Sequence, residues 1–456
     1  MKRECPVRLH QQYEITIRSL GHSGEGVGSK DDFTVFVPGA LVGEVVLAKI
    51  TLVKKSYAVG SLVRVLVPSA ERVEPKCPIY DQCGGCQLQH LSYEGQLIAK
   101  RQQVVDALTR IGKQTDLTVH PTLGAESPWL YRNKMQFPVG TERGKTVIGC
   151  YAKGSHNIIA TEDCHIQMEA NNRIAQAAAR ILTDLAIPAY SEKDDRGVVR
   201  HIIGRVGAGG QAMAVIVTKT KTLPKAEEFV ARLRQEVPEI VSIMHNINPK
   251  RTNVILGQET NCLWGQAAIQ DGIGKLMFDI SAQSFFQVHT AQADILYQKA
   301  LQYAELNGNE TVIDAYCGTG TISLFLAQKA KKVYGIEIVA PAIRDAKKNA
   351  KANNITNAEF FVGDAVEVMP ALYDKGIRAD VVVVDPPRSG CDRIVLETFA
   401  RMQPKRIVYV SCNPASLARD IAVLDELGYR AEQVQPVDMF PQTSHVESVA
   451  LLRRAE

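Results

Sequence analysis

Residues 311–337 read TVIDAYCGTGTISLFLAQKAKKVYGIE, and their pattern decides the fold of the C-terminal part. An apolar run at 311–315 has the length and β-branched content of a buried strand. A turn holding Gly318 and Gly320 follows, then an apolar helical stretch at 322–330. A second strand at 333–336 ends on Glu337. Strand, glycine turn, helix, strand is one βαβ unit. Downstream the alternation continues, with a helix expected at 340–353 and strands at 359–362, 380–384 and 406–410. The last two strands run into Asp385 and Ser411. The pattern predicts a doubly wound parallel sheet that receives ligands at the carboxyl ends of its strands.

Upstream the signals change. Strands are expected at 13–17, 33–37, 44–50 and 57–67, punctuated by glycines such as Gly24, Gly26, Gly28 and Gly39. Short strands in so small a span suggest a closed, OB-like β-barrel, because closure removes exposed edges. Such barrels bind oligonucleotides. The run from Pro68 to Pro75 is a polar, proline-bounded linker. A helix is expected at 93–112, with Leu97, Val104, Val105, Leu108 and Ile111 on one side. Residues 113–275 mix strand and helix signals without a signature of their own. The expected plan is multidomain: a barrel at 6–69, a central α+β domain at 70–275 and an α/β domain at 276–456.

The chain has 456 residues, too many for one core. Its 45% apolar and 22% charged content is that of ordinary globular protein. A net charge of +4 and a pI near 8.4 are compatible with a nucleic-acid partner. The bias is local: between Trp129 and His156 lie Arg132, Lys134, Arg143, Lys145 and Lys153 against Glu142 alone. Trp129, Tyr131, Phe137 and Tyr151 are interleaved. Arg132 and Lys134 are the candidate phosphate contacts. No apolar segment follows Met1-Lys2-Arg3-Glu4-Cys5, so no secretory leader is expected, and no run is long enough to span a membrane. A cytoplasmic location is expected, with no obligate protein partner. There the ten cysteines stay reduced, and clustered ones point to metal binding or catalysis.

The glycine turn after Asp314 is neither a dinucleotide fingerprint nor a Walker loop. Glu337, at the end of the next strand, is placed to accept both hydroxyls of a ribose. Asp364 ends the third strand, where it would meet an adenine. An adenosine-bearing cofactor without a pyrophosphate fits this set, and S-adenosylmethionine is the natural candidate. Asp385-Pro386-Pro387-Arg388 forms a rigid loop after the fourth strand, suited to holding a base beside a methyl donor. Cys317, in the tight turn, reads as a small packed side chain.

Ser411-Cys412-Asn413-Pro414 places a thiol at the same sheet edge. Carbon 5 of uracil is a poor nucleophile. A thiolate added to carbon 6 makes an enolate whose carbon 5 attacks a methyl donor, and a base then removes the carbon-5 proton so that the thiol can leave. Cys412 is the candidate nucleophile, and its site is expected to depress its pKa. Glu447, in Phe440-Pro441-Gln442-Thr443-Ser444-His445-Val446-Glu447, is the candidate base, with His445 assisting.

Four runs resemble the RNA 5-methyluridine methyltransferases: Cys77-x5-Cys83-Gly84-Gly85-Cys86, the Asp314–Gly320 turn, Asp385-Pro-Pro-Arg-Ser-Gly, and Ser411-Cys-Asn-Pro with the terminal Phe440-Pro and His445-Val446-Glu447. The resemblance covers nearly the whole chain, including a barrel similar to the family's TRAM domain. It is nearest to the bacterial 23S ribosomal RNA uracil-C5 methyltransferases. It implies Cys412 as nucleophile and Glu447 as base. It implies S-adenosylmethionine contacts at Gln287, Tyr316, Glu337 and Asp385, with Asp364 beside them. His289 stands where many relatives carry asparagine, and Gln442 where many carry histidine.

The resemblance also implies a [4Fe-4S] cluster on Cys77, Cys83, Cys86 and Cys164. Spacing alone leaves zinc open, and Cys150 is the alternative fourth ligand. The spacing is not that of the radical S-adenosylmethionine enzymes, so a structural or RNA-positioning role is expected. Ribosomal RNA is the favoured substrate, and the enzyme must take its uridine from a loop or flip it out of a stack. Transfer RNA is the alternative. An exocyclic-amine methyltransferase would need no Cys412, and a non-catalytic iron–sulfur RNA-binding protein would need neither Cys412 nor Glu447.

Overall fold

The protein is described by a computed structural model covering residues 5–455; the leader reading rests partly on residues 1–4, outside that range. Strands β1 (Gln12–Leu20), β2 (Gly26–Lys30), β3 (Phe33–Val37), β4 (Val45–Val53) and β5 (Tyr57–Val67) close into a barrel in the order β1-β2-β3-β5-β4. Alternate residues point inward, and Ile15, Ile17, Val35, Val37, Val46, Ala48 and Ile50 form its core. The sequence pattern misses β2 because glycines hide it. A Cβ on Gly28 would come within 2.4 Å of Ile15 and the Thr16 carbonyl, and one on Gly26 within 2.7 Å of the Ala40 carbonyl. Only glycine lets the strands of so narrow a barrel approach this closely.

Glu44 ties the barrel to the linker. Its fully buried carboxylate takes Arg72 Nε at 2.6 Å and Nη2 at 2.8 Å, and accepts the N–H groups of Leu41 and Ser69. Burial alone raises the Glu44 pKa, but Arg72 and the two N–H groups outweigh it and hold the carboxyl below its usual range. Arg72→Met should cost the barrel about 3 kcal/mol at neutral pH, measured by chemical denaturation. A depressed folded pKa adds stability above the unfolded value and loses it as pH falls through the folded one. The deficit of the variant should therefore shrink in acid. A deficit that grew in acid would remove the ion pair as its cause.

Helix α1 (Tyr93–Arg110) and strand β6 (Thr118–Val119) come next. Ser92 caps the helix by accepting the Gly95 N–H. The expected apolar stripe is only partly the buried face: Val104 and Leu108 are buried, but so are Gln96 and Lys100, while Ile111 is exposed. Both α1 and β6 pack on the C-terminal sheet, with Val104, Leu108 and Val119 in its core. The sequence grouped these residues with the centre of the chain, because the helix pattern shows an apolar face but not its partner.

The central unit is a seven-stranded sheet in the order β13-β12-β11-β10-β7-β8-β9. Its elements are β7 (Lys134–Glu142), β8 (Lys145–Tyr151), β9 (Ile158–Ala160), α2 (Glu169–Asp184), β10 (Val199–Val206), β11 (Ala212–Thr218), α3 (Ala226–Glu236), β12 (Ile240–Ile247) and β13 (Glu259–Gly265). Helices α2 and α3 cover one face through Ile174, Ile181, Phe229 and Leu233. Strands β14 (Ala268–Ile273) and β15 (Leu276–Ser281) form a separate hairpin, and residue 275, the expected domain limit, lies in its turn.

The C-terminal unit holds α4 (Thr290–Ala304), β16 (Thr311–Asp314), α5 (Thr321–Ala327), β17 (Lys332–Glu337), α6 (Ala340–Ala352), β18 (Ala358–Val362), α7 (Ala365–Asp374), β19 (Val381–Val384), α8 (Arg393–Met402), β20 (Arg406–Ser411), α9 (Pro414–Glu426), β21 (Tyr429–Val437) and β22 (Glu447–Arg454). The sheet order is β18-β17-β16-β19-β20-β22-β21-β6. From β18 to β20 neighbours are parallel and covered by helices on both faces, a Rossmann-like arrangement, and all four valines of β19 are fully buried. The sheet is not parallel throughout, as the sequence predicted. The hairpin β21–β22 inserts β22 antiparallel to β20. Among the described residues no helix is long and apolar enough to cross a membrane.

Candidate active site

The glycine turn leaves β16 and enters α5 at the carboxyl edge of the sheet. Gly318 and Gly320 have φ of +54° and +83°, values that side chains disfavour. Ser323 Oγ donates to Asp314 Oδ2 at 2.6 Å and locks the turn to the helix. Glu337 ends β17 and accepts the N–H groups of Gly318 (3.3 Å) and Val339 (2.8 Å). Its carboxylate therefore stands at the glycine turn. Beside it Ile338 is 67% exposed, and Phe285, two residues before Gln287, is 71% exposed. Asp364 caps α7, its Oδ1 accepting the Val366 N–H, and remains exposed. Tyr316 packs on the core with its hydroxyl turned to Cys391. Cys317 is buried close to Gly335.

Cys412 is held between two elements. Ser411 Oγ accepts the Asn413 N–H, and the Asn413 side chain caps α9 through the Ala415 N–H. Pro414 occupies the first turn of α9, where a missing N–H costs nothing. Asn413 Nδ2 also donates to the Arg388 carbonyl at 3.0 Å, joining this loop to Asp385-Pro386-Pro387-Arg388. The antiparallel register then decides the constellation. Ser411 pairs with Ser448, so Cys412 and Glu447 are the next residues across β20 and β22. The half-buried thiol opens onto a cavity of about 340 Å³, whose wall includes His22, Ser23, Arg388, Asn413 and His445.

Charge in this corner runs against one expectation. Burial first, then Glu447 and Asp385, push the Cys412 thiol up to about 11; Arg388 acts the other way. The sequence predicted a depressed value because it could not show two carboxylates beside the sulfur. The carboxylates are themselves perturbed. Burial and then Asp385 raise Glu447 to about 8, while burial and then Asp314 raise Asp385. His445 packs edge-on to Phe440 and keeps part of its ring open; the partial burial of the rest, then Arg388 and other cations, lower its pKa. It lines the cavity beside Cys412.

Two residues escaped the sequence reading. Arg388 lines the Cys412 cavity and a larger neighbouring one, and its charge opposes that of the carboxylates at the thiol. Its place after Asp-Pro-Pro was the available signal. Tyr297 is buried in α4, takes the Gln287 amide on its hydroxyl at 3.2 Å, and faces Asp385 and Glu447. A tyrosine on an apolar helix face carries no sequence signal for this.

The larger cavity, about 720 Å³, connects this corner to the cysteines. Cys77, Cys83, Cys86, Cys150 and Cys164 all line it, with Arg132, Lys134, Gln287 and Arg388. The Cys150 thiol lies between those of Cys83 and Cys164, lowering the Cys83 pKa to about 6 and the Cys164 pKa also. Burial raises Cys77, and raises Cys86 to about 12. Tyr80, Tyr131, Ile166 and Trp129 form an apolar shell around them. Among the described residues no group of three or more His, Cys, Asp or Glu side chains converges tightly enough to hold one metal ion. Arg132 and Lys134 line the cavity, and burial, Arg205 and Arg132 lower Lys134 to about 8. Tyr131 and Phe137 are buried core residues, so of the interleaved aromatics only Trp129 and Tyr151 keep open surface.

The tRNA (Uracil-5-)-methyltransferase family profile matches residues 243–455, and the TRAM domain profile matches residues 6–63. An RNA methyltransferase of Halalkalibacterium halodurans is 51% identical over 452 residues, covering 99% of each chain. The chain belongs to the RNA uracil-5-methyltransferase family. An RNA methyltransferase of Clostridium tetani is 52% identical over 453 residues, covering 99% of this chain and 98% of that one. Among solved structures, the tRNA (uracil-54, C5)-methyltransferase of Pyrococcus abyssi in complex with S-adenosyl-L-homocysteine is similar over 96% of this chain and 99% of that one. The TM-score is 0.77 and the identity 28%. The barrel of this family member is its TRAM domain, and the sheet bearing Cys412 and Glu447 is its methyltransferase domain.

Proposed function

We propose that the protein methylates carbon 5 of uridine in 23S ribosomal RNA through a covalent Cys412–uracil intermediate. The observation that carries this reading is the β20–β22 register, which sets a thiol and a carboxylate side by side at the ligand edge of the sheet. Cys412 adds to carbon 6, Glu447 removes the proton from carbon 5, and expulsion of the Cys412 sulfur restores the ring. S-adenosylmethionine supplies the methyl group when bound. Gln287, Tyr316, Glu337, Asp364 and Asp385 are the residues we assign to it. Arg388 stands at the mouth of the cavity, where it suits a phosphate next to the target.

We assign Cys77, Cys83, Cys86 and Cys164 to a [4Fe-4S] cluster, with Cys150, whose thiol lies between those of Cys83 and Cys164, as the alternative fourth ligand. The five thiols line one cavity beside an apolar shell, which suits an iron–sulfur group, while four thiolates would also suit zinc. Cys83→Ser should bleach the brown colour and remove most of the iron, measured by absorbance and metal analysis. A variant that kept its colour and iron would exclude Cys83 as a ligand.

The division along the chain at 6–69, 70–275 and 276–456, with α1 and β6 of the second stretch docked on the sheet of the third, and a cytoplasmic site of action with reduced thiols, belong to the same proposal. Mass-spectrometric mapping of 5-methyluridine in 23S and transfer RNA, with and without the gene, tests the substrate. Loss of a 23S mark is expected. Loss confined to transfer RNA would move the substrate to the class named for the Pyrococcus relative. No loss in either would sink the proposal.

A further inference from the structure

The segment 438–442, five residues before Glu447 at its nearest, is held in an unusual way. Each of its five backbone carbonyls meets a polar group from elsewhere in the chain. Gln292 Nε2 donates to the Asp438 carbonyl at 2.9 Å, and His289 Nδ1 lies 3.2 Å from that of Met439. Lys100 Nζ donates to the Phe440 carbonyl at 3.1 Å, and the Tyr131 hydroxyl to that of Pro441 at 3.0 Å. The N–H groups of Gln87 and Leu88 both donate to the Gln442 carbonyl at 3.0 Å. Side chains add to this. Lys100 Nζ reaches Asp438 Oδ1 at 2.5 Å, and Gln96 pairs with the Gln442 N–H and side chain, each at 3.0 Å.

These groups are deeply buried: Lys100, Gln96 and Gln292 are 1% exposed, and Asp438 not at all. A buried ion pair is weak evidence of stability, because desolvation offsets its attraction, and its best-attested use is to fix one geometry. Stability has another source here, since α1 is already anchored by Val104 and Leu108. Gln442 is also bent to φ +70°, a conformation that its neighbours must impose. The donors at 87, 88, 96, 100 and 131 all lie before residue 243, where the methyltransferase family match begins, and Gln87 directly follows Cys86. The cysteine-bearing loop is thus one wall of this cradle.

We propose that Gln96, Lys100 and Tyr131 are positioning residues that aim Glu447 at the carbon-5 proton by holding segment 438–442. The proposal rests on Glu447 being the base. It separates two steps. Attack by Cys412 depends on β20 and α9, whereas proton removal depends on the cradle.

The test compares two RNAs bearing the mapped uridine. With 5-fluorouridine there, carbon 5 carries no removable proton, so the covalent adduct reports attack and methyl transfer alone. With ordinary uridine, turnover also reports proton removal. Gln96→Leu and Lys100→Met are expected to form the fluorinated adduct within about twofold of the wild-type rate. Turnover on uridine should fall roughly 10- to 100-fold, with adduct accumulating. Tyr131→Phe, which removes one oxygen and should melt like wild type, is expected to show the same split at two- to fivefold. Glu447→Gln is run alongside. If it accumulates adduct and the cradle variants lose both rates equally, or neither, the cradle proposal is overturned and the base stands. If Glu447→Gln turns over normally, the base assignment falls and takes the cradle with it.

Discussion

Cys412→Ala is expected to lose methyl transfer to RNA by on the order of 10⁴-fold or more, while keeping its fold and its affinity for S-adenosylmethionine. The expectation follows from uracil chemistry, because without addition at carbon 6 nothing activates carbon 5. Radiolabelled methyl transfer, calorimetric titration of the cofactor and denaturing gels of the RNA complex give the three readouts. The gels should show no covalent species. A variant that kept a tenth of the activity would point to methylation of an exocyclic amine, which needs no thiol. The pH dependence of the wild type sharpens the point. Burial and the carboxylates of Glu447 and Asp385 push the thiol up to about 11, so the reactive thiolate grows steadily from neutral pH upward. Arg388 is the cation that opposes them, and Arg388→Ala should slow attack most at low pH.

Glu447→Gln is expected to slow turnover by about 10²- to 10⁴-fold, the range of general base catalysis. Unlike the cysteine variant, it should leave a protein–RNA adduct that survives denaturing gels, because attack and methyl transfer precede the missing step. The sign of its pH dependence follows from burial. Glu447 is raised to about 8, so its basic form fills in as pH rises through that value. Wild-type turnover should climb across the same range, and the glutamine variant should not. Stability should move in the opposite sense. A carboxyl raised on folding favours the folded state below its unfolded pKa and loses that contribution as pH rises. The glutamine variant should therefore melt higher than wild type above pH 8. A variant that turned over slowly without adduct would assign Glu447 to an earlier step.

The site was legible to different depths. The turn at Asp314–Gly320, the valine strand into Asp385 and the Ser411–Pro414 run are local patterns, and their elements formed where the pattern placed them. The ionisation of Cys412 was not legible, since it depends on Glu447 and Asp385, each brought in by a separate strand. Tyr297 and Arg388 were hidden for the same reason: their roles come from what faces them. Tyr131 and Phe137 show the reverse case. Both were read among basic residues in a stretch compatible with a nucleic-acid partner, but both turn inward into a core.

By itself the sequence determined the strand–helix alternation and the barrel class, and it singled out the candidate thiol and carboxylate. These rest on residue type and on periods of two and 3.6, which act over a few neighbours. Tertiary structure alone decided the partners. Gly26 and Gly28 form a strand because Ile15, Thr16 and Ala40 crowd them. Helix α1 joins the methyltransferase sheet because Val104 and Leu108 enter its core, and Lys100 and Gln96 then fix its place against Asp438 and Gln442. Cys412 meets Glu447 because β22 enters antiparallel to β20 in one register. Periodicity shows which face of an element is buried; only long-range burial and pairing choose what covers it.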